Sequence, residues 1–225
     1  MAVPATTGKL CTTIQEMEIG DFIYATVDSS GNWVFGDTLG KPELPVTAVA
    51  VNSSNKTHWN YYWYMIKVDK GFLISDRVWY HTVSWDTLNG WKNIQGITIT
   101  SNQGNGIIRS LTGGVAYADV NGNKATTDQG FGAWPTNNEW DKYIVNFPID
   151  KIQEGKTLDD VFHWSGVYSW CQDTTVNGLN LNNVASNNTF RVNRGNGSAK
   201  YFNYAVSNGS YNIVGFRPVF EYKEV

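Results

Sequence analysis

Apolar and polar positions alternate in short runs along most of this chain, and few runs follow a helical period. Phe22-Ile23-Tyr24-Ala25-Thr26-Val27 is rich in β-branched and aromatic residues and predicts a strand. Ser29-Ser30-Gly31-Asn32 predicts a turn, with Trp33-Val34-Phe35 returning as the strand's partner. A dense aromatic run from Trp59 to Val68 meets Phe72-Leu73-Ile74 across Asp69-Lys70-Gly71, which reads as a second hairpin. That aromatic run is either a core strand pair or a platform on which flat rings stack. Between the hairpins, Pro42 and Pro45 keep the connector Lys41–Val46 out of any central strand. Further on, Ile107–Leu111 and Val115–Lys124 predict strand, turn, strand, with Asn121-Gly122 in the tight turn.

Helical spacing is confined to three short stretches. Trp85–Asn89 has Ser84 placed as its N-cap, Asn137–Ile144 starts near Asn138, and Leu158–Phe162 follows Thr157. There is no internal repeat and no flexible linker. The expected class is α+β, β-rich with few short helices. Residues 1–100 are expected to form an N-terminal β-rich part, packed in one compact unit against a second part, residues 101–225.

Composition narrows the functions open to such a chain. It has 225 residues, enough to bury a substantial core, with 16% charged and 14% aromatic residues. The net charge of −3 gives no general attraction to nucleic acid or to an anionic membrane. No apolar run approaches the roughly 20 residues that span a bilayer, so membrane insertion is not expected. The start, Met1–Gly8, lacks the basic cap and apolar core of a signal peptide, so synthesis and folding in the cytosol are expected. Cys11 and Cys171 are too few for a disulfide framework. A reducing compartment favours free buried thiols over a single long-range bridge.

Few side chains point to reaction chemistry. Asp119, Asn121 and Asn123 superficially resemble a calcium loop, but the glycine is misplaced and no bidentate Glu follows. His58, His81 and His163 are scattered without the spacing of a zinc site, so no metal and no cofactor is expected. A glycan-degrading hydrolase would need two carboxyl groups facing each other across a cleft. Asp128, Asp141, Asp159, Asp160 and Asp173 are available near His163, but their spacing picks out no dyad. Asp159 and Asp160, after Thr157, read as a helix start favoured by the helix dipole.

From Asn177 to Asn212, by contrast, Asn, Ser and Tyr crowd a stretch with no acidic residue. Such side chains adapt readily as contact groups and are poor acids, bases or nucleophiles on their own. The stretch reads as a surface built to touch a partner. It runs into the apolar ending Gly215-Phe216-Arg217-Pro218-Val219-Phe220. Arg191, Arg194 and Arg217 either pin loops by forking onto carbonyls and carboxylates or bind an anionic ligand; their apolar neighbours favour the first. Gly195 and Gly215 mark sharp turns or close backbone approach. Trp140, Trp164, Trp170, Phe216 and Phe220 are candidate core residues.

Four segments occur in a suggestive order: Asn138-Glu139-Trp140-Asp141-Lys142-Tyr143, His163–Trp170, Arg191-Val192-Asn193-Arg194-Gly195 and Gly215-Phe216-Arg217-Pro218-Val219. Together they resemble the C-type-lectin-like fold of formylglycine-generating-enzyme-like domains and of the variable proteins of diversity-generating retroelements. In character the chain is most similar to tail-associated receptor-binding proteins of phages and prophages of Gram-positive bacteria. Gly8–Ile14 with Met17–Asp21 adds to this likeness. The lectin-like resemblance covers roughly residues 100–225.

The resemblance implies a non-enzymatic protein, made in the bacterial cytoplasm and carried on a virion tail or phage-like particle. It would recognise a bacterial surface protein or glycan, as a homotrimer. The implied ligand-binding residues are Asn193, Asn196, Ser198, Lys200, Tyr201, Asn203, Tyr204, Ser207, Asn208 and Tyr211. Their bias to Asn, Ser and Tyr is what adenine-directed codon diversification leaves; an ordinary polar surface is the plainer reading. Formylglycine-generating enzymes rely on active-site cysteines, and here Cys171 has no partner close in sequence. The Glu-Pro-Asn and Gln-Pro-Asp sets of calcium-dependent lectins are absent. On this reading, truncating Tyr201 and Tyr204 removes binding and spares folding, whereas Arg194→Ala or Phe216→Ala damages folding first.

Overall fold

The computed structural model describes residues 3–46, 57–181 and 184–224. The side chain of His58 lies outside the described set. The described chain is β-rich with short helices, and two β-layers share its core.

The first layer takes Leu10–Cys11 (β1), Phe22–Val27 (β2), Trp33–Phe35 (β3), Trp63–Asp69 (β4) and Phe72–Ser75 (β5) from the N-terminal third. After Tyr80–His81 (β6), it adds Ile97–Ser101 (β7) and Gly104–Arg109 (β8). Its order is β1-β2-β3-β7-β8, then the last strand of the chain, then β5-β4, and β2 also pairs with β4. The sheet therefore returns on itself as a barrel, which removes exposed edges. Alternation decides what faces inward. Ile23, Ala25, Trp33, Phe35, Trp63, Met65 and Leu73 are buried in one cluster, while Phe22, Tyr64, Ile66 and Ile74 join a second cluster on the opposite face.

Three small strands follow: Ala116–Ala118 (β9), Lys124–Ala125 (β10) and Ala133–Trp134 (β11). The second large layer is built from Tyr168–Thr174 (β12), Phe190–Gly195 (β15), Phe202–Val206 (β16) and Val214–Phe216 (β17). A two-stranded ribbon, Asn180–Leu181 (β13) with Val184–Ala185 (β14), lies between them in sequence. The order of this layer is β16-β15-β12-β17-β6. The chain then enters the barrel as Val219–Tyr222 (β18), between β8 and β5. The division after residue 100 falls inside β7, and β6 and β18 each pair with strands from the other side of it.

Most expected elements form where the pattern put them. β4 and β5 make the hairpin across Asp69-Lys70-Gly71. Trp85–Gly90 (α1) is capped by Ser84, whose side chain accepts from the Thr87 N–H. Leu158–Phe162 (α2) carries a capping box between Thr157 and Asp160. Asn138 opens a wide helical turn over Asp141–Val145, its Oδ1 accepting from the Asp141 N–H at 2.9 Å. One pairing differs: β8, containing Ile107 and Ile108, pairs with Ile97–Ser101 instead of the 115–124 segment. There, β9 turns through Asn121-Gly122 to β10. Both cysteines are free and buried, Cys171 in one cluster and Cys11 in the other.

The two expected glycine roles are distinct. Gly195 has φ +100, a left-handed backbone that penalises side chains. A Cβ on Gly215 would collide with the Tyr80 carbonyl, because β17 lies tight against β6.

Arg217 marks the crossing between layers. It is 1% exposed and donates to the Ser169 hydroxyl at 3.0 Å, the Ser75 carbonyl at 2.9 Å and the His163 carbonyl at 3.3 Å. Burial pushes its guanidinium down to about 10, still charged at neutral pH. Arg194 donates to Asp141 Oδ1 at 2.6 Å and to the Gly113 carbonyl at 2.8 Å. Both guanidinium carbons stand 5.8 Å from the Trp140 ring centroid, so these arginines belong to the framework.

Two substitutions test this frame by urea unfolding. Arg217→Lys should cost about 2–3 kcal/mol, because an ammonium cannot fork onto three separated acceptors. Phe216→Ala, at a fully buried site, should cost about 3–5 kcal/mol. Wild-type midpoints for both variants would contradict the framework role.

Candidate functional site

The Asn-, Ser- and Tyr-rich stretch forms the outer half of the second layer. In the β15–β16 hairpin, Val192 lies opposite Tyr204, Asn193 opposite Asn203 and Arg194 opposite Phe202. Val192, Phe202 and Tyr204 face the cluster containing Trp140, Phe162 and Cys171. Asn193, Asn203 and Ala205 alternate to the other face. The connection from β16 to β17 is anchored beside α1: Asp86 N–H donates to the Ser207 carbonyl, Ser207 Oγ donates to Asp86 Oδ2 at 3.0 Å, and Thr82 N–H donates to the Tyr211 carbonyl.

Along the edge strand β16 this arrangement leaves a groove of about 350 Å³. Tyr168, Tyr211 and Asn203 contribute polar tips, with Phe190, Val184 and Ile213 among the apolar walls. Val184 and Ile213 are 51% and 40% exposed, an apolar surface in a polar neighbourhood. The described lining residues carry no Asp, Glu, Lys, Arg or His. Such a surface suits contact by shape and neutral hydrogen bonds.

Nine of the ten sequence-predicted residues fall into three groups, and Asn193 stands apart from them. Asn203, Tyr204 and Tyr211 line the groove, and Tyr201 stands 6.1 Å from the ring of Tyr168, which lines it too. Asn196, Ser198 and Lys200 sit on the β15–β16 turn, where Asn196 takes φ +73 and its N–H donates to the Trp164 carbonyl. Ser207 and Asn208 lie on the way out of β16. Ser198, Lys200 and Asn208 are exposed, and Asn196, Tyr201, Asn203, Ser207 and Tyr211 are half-buried.

Two of the ten need correction as surface contacts. Asn193 is fully buried, with Trp170 opposite it on β12 and Asn203 opposite it on β16; its Oδ1 accepts from Asn203 Nδ2 at 2.9 Å, and its own Nδ2 has no partner among the described residues. Tyr204 is 4% exposed, with its hydroxyl 3.0 Å from the Leu179 and Val184 carbonyls and its ring edge-on to Phe190. Its hydroxyl ties the β13–β14 ribbon to the sheet. Tyr168, Val184, Phe190 and Ile213 were missed; only the exposed apolar pair Val184 and Ile213 offered a sequence signal, as hydrophobes inside a polar run.

The carboxylates considered for catalysis hold backbone or pair with a cation. Asp159 accepts from Ser165 N–H, Asp160 caps α2, Asp128 accepts from Gly130 N–H, and Asp141 holds Arg194. Asp119 accepts from the Asn121 and Asn123 N–H groups in a tight turn. Among the described residues no three His, Cys, Asp or Glu side chains gather to hold a metal ion. Asp173 is distinctive: burial pushes its carboxyl from 3.8 up to about 6, although Gly113 N–H donates to it at 2.6 Å.

A carboxyl with a raised folded-state value binds its proton more tightly folded than unfolded, so its contribution to stability is lost as pH rises from about 4 to 6. Asn at this position keeps an acceptor for Gly113 and carries no charge. Asp173→Asn should therefore match wild type near pH 4 and exceed it at pH 7, by up to about 3 kcal/mol at some 1.4 kcal/mol per pH unit. Parallel urea curves at the two pH values measure this. Tyr204→Phe should cost about 1 kcal/mol by removing the hydroxyl that ties the Leu179 and Val184 carbonyls to the sheet, the Leu179 carbonyl keeping Ser186 N–H as a donor, whereas Lys200→Ala should stay within about 0.5 kcal/mol. A neutral Tyr204→Phe would return that residue to the list of free surface contacts. Compared with family models, curated proteins and solved structures, the chain has no match, so the site rests on its own geometry.

Proposed function

We propose that this chain is a recognition protein without catalytic chemistry: a receptor-binding protein of a phage or prophage tail that docks a bacterial surface protein or glycan in the groove along β16. The observation that carries the reading is the groove itself, an uncharged mixture of tyrosine, asparagine and exposed aliphatic walls on a sheet edge held by buried arginines. Polar-aromatic contact groups on a rigid frame lose little conformational freedom on binding.

The C-type-lectin-like reading of the C-terminal part belongs to the same proposal. It is supported by the placement of the Arg191–Gly195 strand and the Gly215-Phe216 strand in one sheet, on either side of β12. If the region is diversified as in retroelement variable proteins, Asn193 and Tyr204 fall outside the varying face. Assembly as a homotrimer would repeat a weak site and raise avidity without new contacts.

The test is binding of purified protein to intact bacterial cells and to their stripped surface glycans, with reducing-sugar release followed in the same tubes. Val184→Arg and Ile213→Arg place a long cation at exposed groove positions, where folding should change by no more than about 0.5 kcal/mol. Saturable binding, weakened at least about tenfold by either variant and unaccompanied by sugar release, is the expected result. Binding indifferent to both variants would remove the groove from the function. Sugar release abolished by Asp173→Asn or Asp128→Asn would make the protein a glycan hydrolase.

A further inference from the structure

Asparagine is followed by glycine six times, at Asn89, Asn105, Asn121, Asn177, Asn196 and Asn208. Such a pair is chemically reactive, because glycine leaves its backbone nitrogen unhindered beside the preceding side-chain amide. Reaction needs that N–H released and the asparagine free to swing, so the fold ranks the six sites. Asn89-Gly90 closes α1, where helical backbone aims each N–H along the axis, away from the preceding side chain. Asn105-Gly106 lies in β8, laddered on one side to β7 and on the other to β18. Asn121-Gly122 sits in a turn clamped by Asp119, whose Oδ1 accepts from the Asn121 and Asn123 N–H groups and whose carbonyl accepts from Gly122 N–H. After Asn177, the Gly178 N–H is held at 2.9 Å by the carbonyl of buried Ser186. Asn196 is half-buried, with its N–H donating to the Trp164 carbonyl and its carbonyl accepting from Gly166 N–H.

Asn208 is held far less. It is exposed, lies just outside the edge strand β16, and makes no hydrogen bond to any described residue. The Gly209 N–H has a single turn bond, 3.1 Å to the Val206 carbonyl at the end of that strand, where fraying begins. The glycine itself cannot be exchanged, since a Cβ there would collide with the ring and hydroxyl of Tyr211. We propose that Asn208 is a site of spontaneous deamidation. The Gly209 nitrogen attacks Cγ of Asn208: the N–Cγ bond forms, the Cγ–Nδ2 bond breaks, and ammonia leaves with the proton lost from Gly209. Water then opens the cyclic imide at either carbonyl carbon, leaving aspartate or its β-linked isomer, with no change of oxidation state. The product puts a carboxylate into the stretch from Asn177 to Asn212, which has none, and makes the net charge of −3 more negative by one. The β-linked isomer also lengthens the backbone between β16 and β17, the connection that carries Tyr211. Neither step uses the groove, so the modification stands apart from the recognition reading above.

The experiment ages the full chain in mildly alkaline buffer, native and in urea. Mass spectrometry follows the six Asn-Gly peptides, and enzymatic methylation marks the β-linked product. Rates in urea give the intrinsic reactivity of each pair, and the native rate divided by the urea rate is the readout. That ratio should be highest at Asn208, at least about fivefold above Asn89 and Asn105, as release from about one hydrogen bond of regular structure implies. Isoelectric focusing of the intact native protein should show an acidic band whose formation Asn208→Gln slows, with urea midpoints verifying that the variant folds. A ratio at Asn208 no higher than at Asn89 or Asn105, native conversion led by another pair, or an acidic band that forms as fast in Asn208→Gln would overturn the proposal.

Discussion

The guanidinium of Arg217 fixes the relation between the two layers. The chain leaves the second sheet at Phe216 and enters the barrel at Val219, so one short segment serves both. At that crossing Arg217 donates to one group on β5, one on β12 and one at the end of α2. All three acceptors are neutral, so the arginine gives direction without cancelling a carboxylate. A fork of rigid donors suits that task, and a point charge on a flexible stem does not. β15, β16 and the groove continue outward from β12, the strand that Arg217 anchors through Ser169.

The same economy governs the other internal charges. Arg77 lies against Asp76 and Glu43 and donates to the Leu44 carbonyl, holding the proline-stiffened connector onto the barrel. Arg109 bridges Glu139 and Glu221, joining the turn before Trp140 to the last strand. Lys67, nearly buried, reaches Glu224 and Tyr222. Paired and hydrogen-bonded charges of this kind tie irregular loops to regular strands. With these charges paired on the frame, the described lining of the β16 groove is left neutral.

Much of the frame was legible in the sequence because the signals were local. Asp69-Lys70-Gly71 announced its hairpin, Ser84 its cap, and Thr157 with Asp160 a helix start. Trp140, Trp170, Phe216 and Phe220 were readable as core, and Arg194 and Arg217 as pins. What escaped was set by contacts distant in sequence. The β7–β8 turn at Asn102 and Gln103 has no strong turn chemistry; it is held by Asn102 bonding both backbone groups of Phe35 and by Gln103 reaching Thr12. Asn193 and Tyr204 looked like surface residues because alternation names two faces and cannot say that both are covered. The tryptophan cluster of the barrel core escaped for a related reason: Trp33, Trp63 and Trp79 meet only through closure of the barrel.

The position of β18 sets the order in which the molecule can be made. It lies between β5 and β8, two strands synthesised more than a hundred residues before it. A ribosome therefore exposes both of their open edges for the whole interval, and the ring cannot shut until the final strand emerges. Closure then depends on bringing together segments far apart along the chain, the slowest kind of contact to establish. Unpaired edges invite strands from neighbouring chains in the meantime. Slow release of nascent chains and low concentration during refolding should thus govern the yield of active material more strongly than the stability of the finished protein.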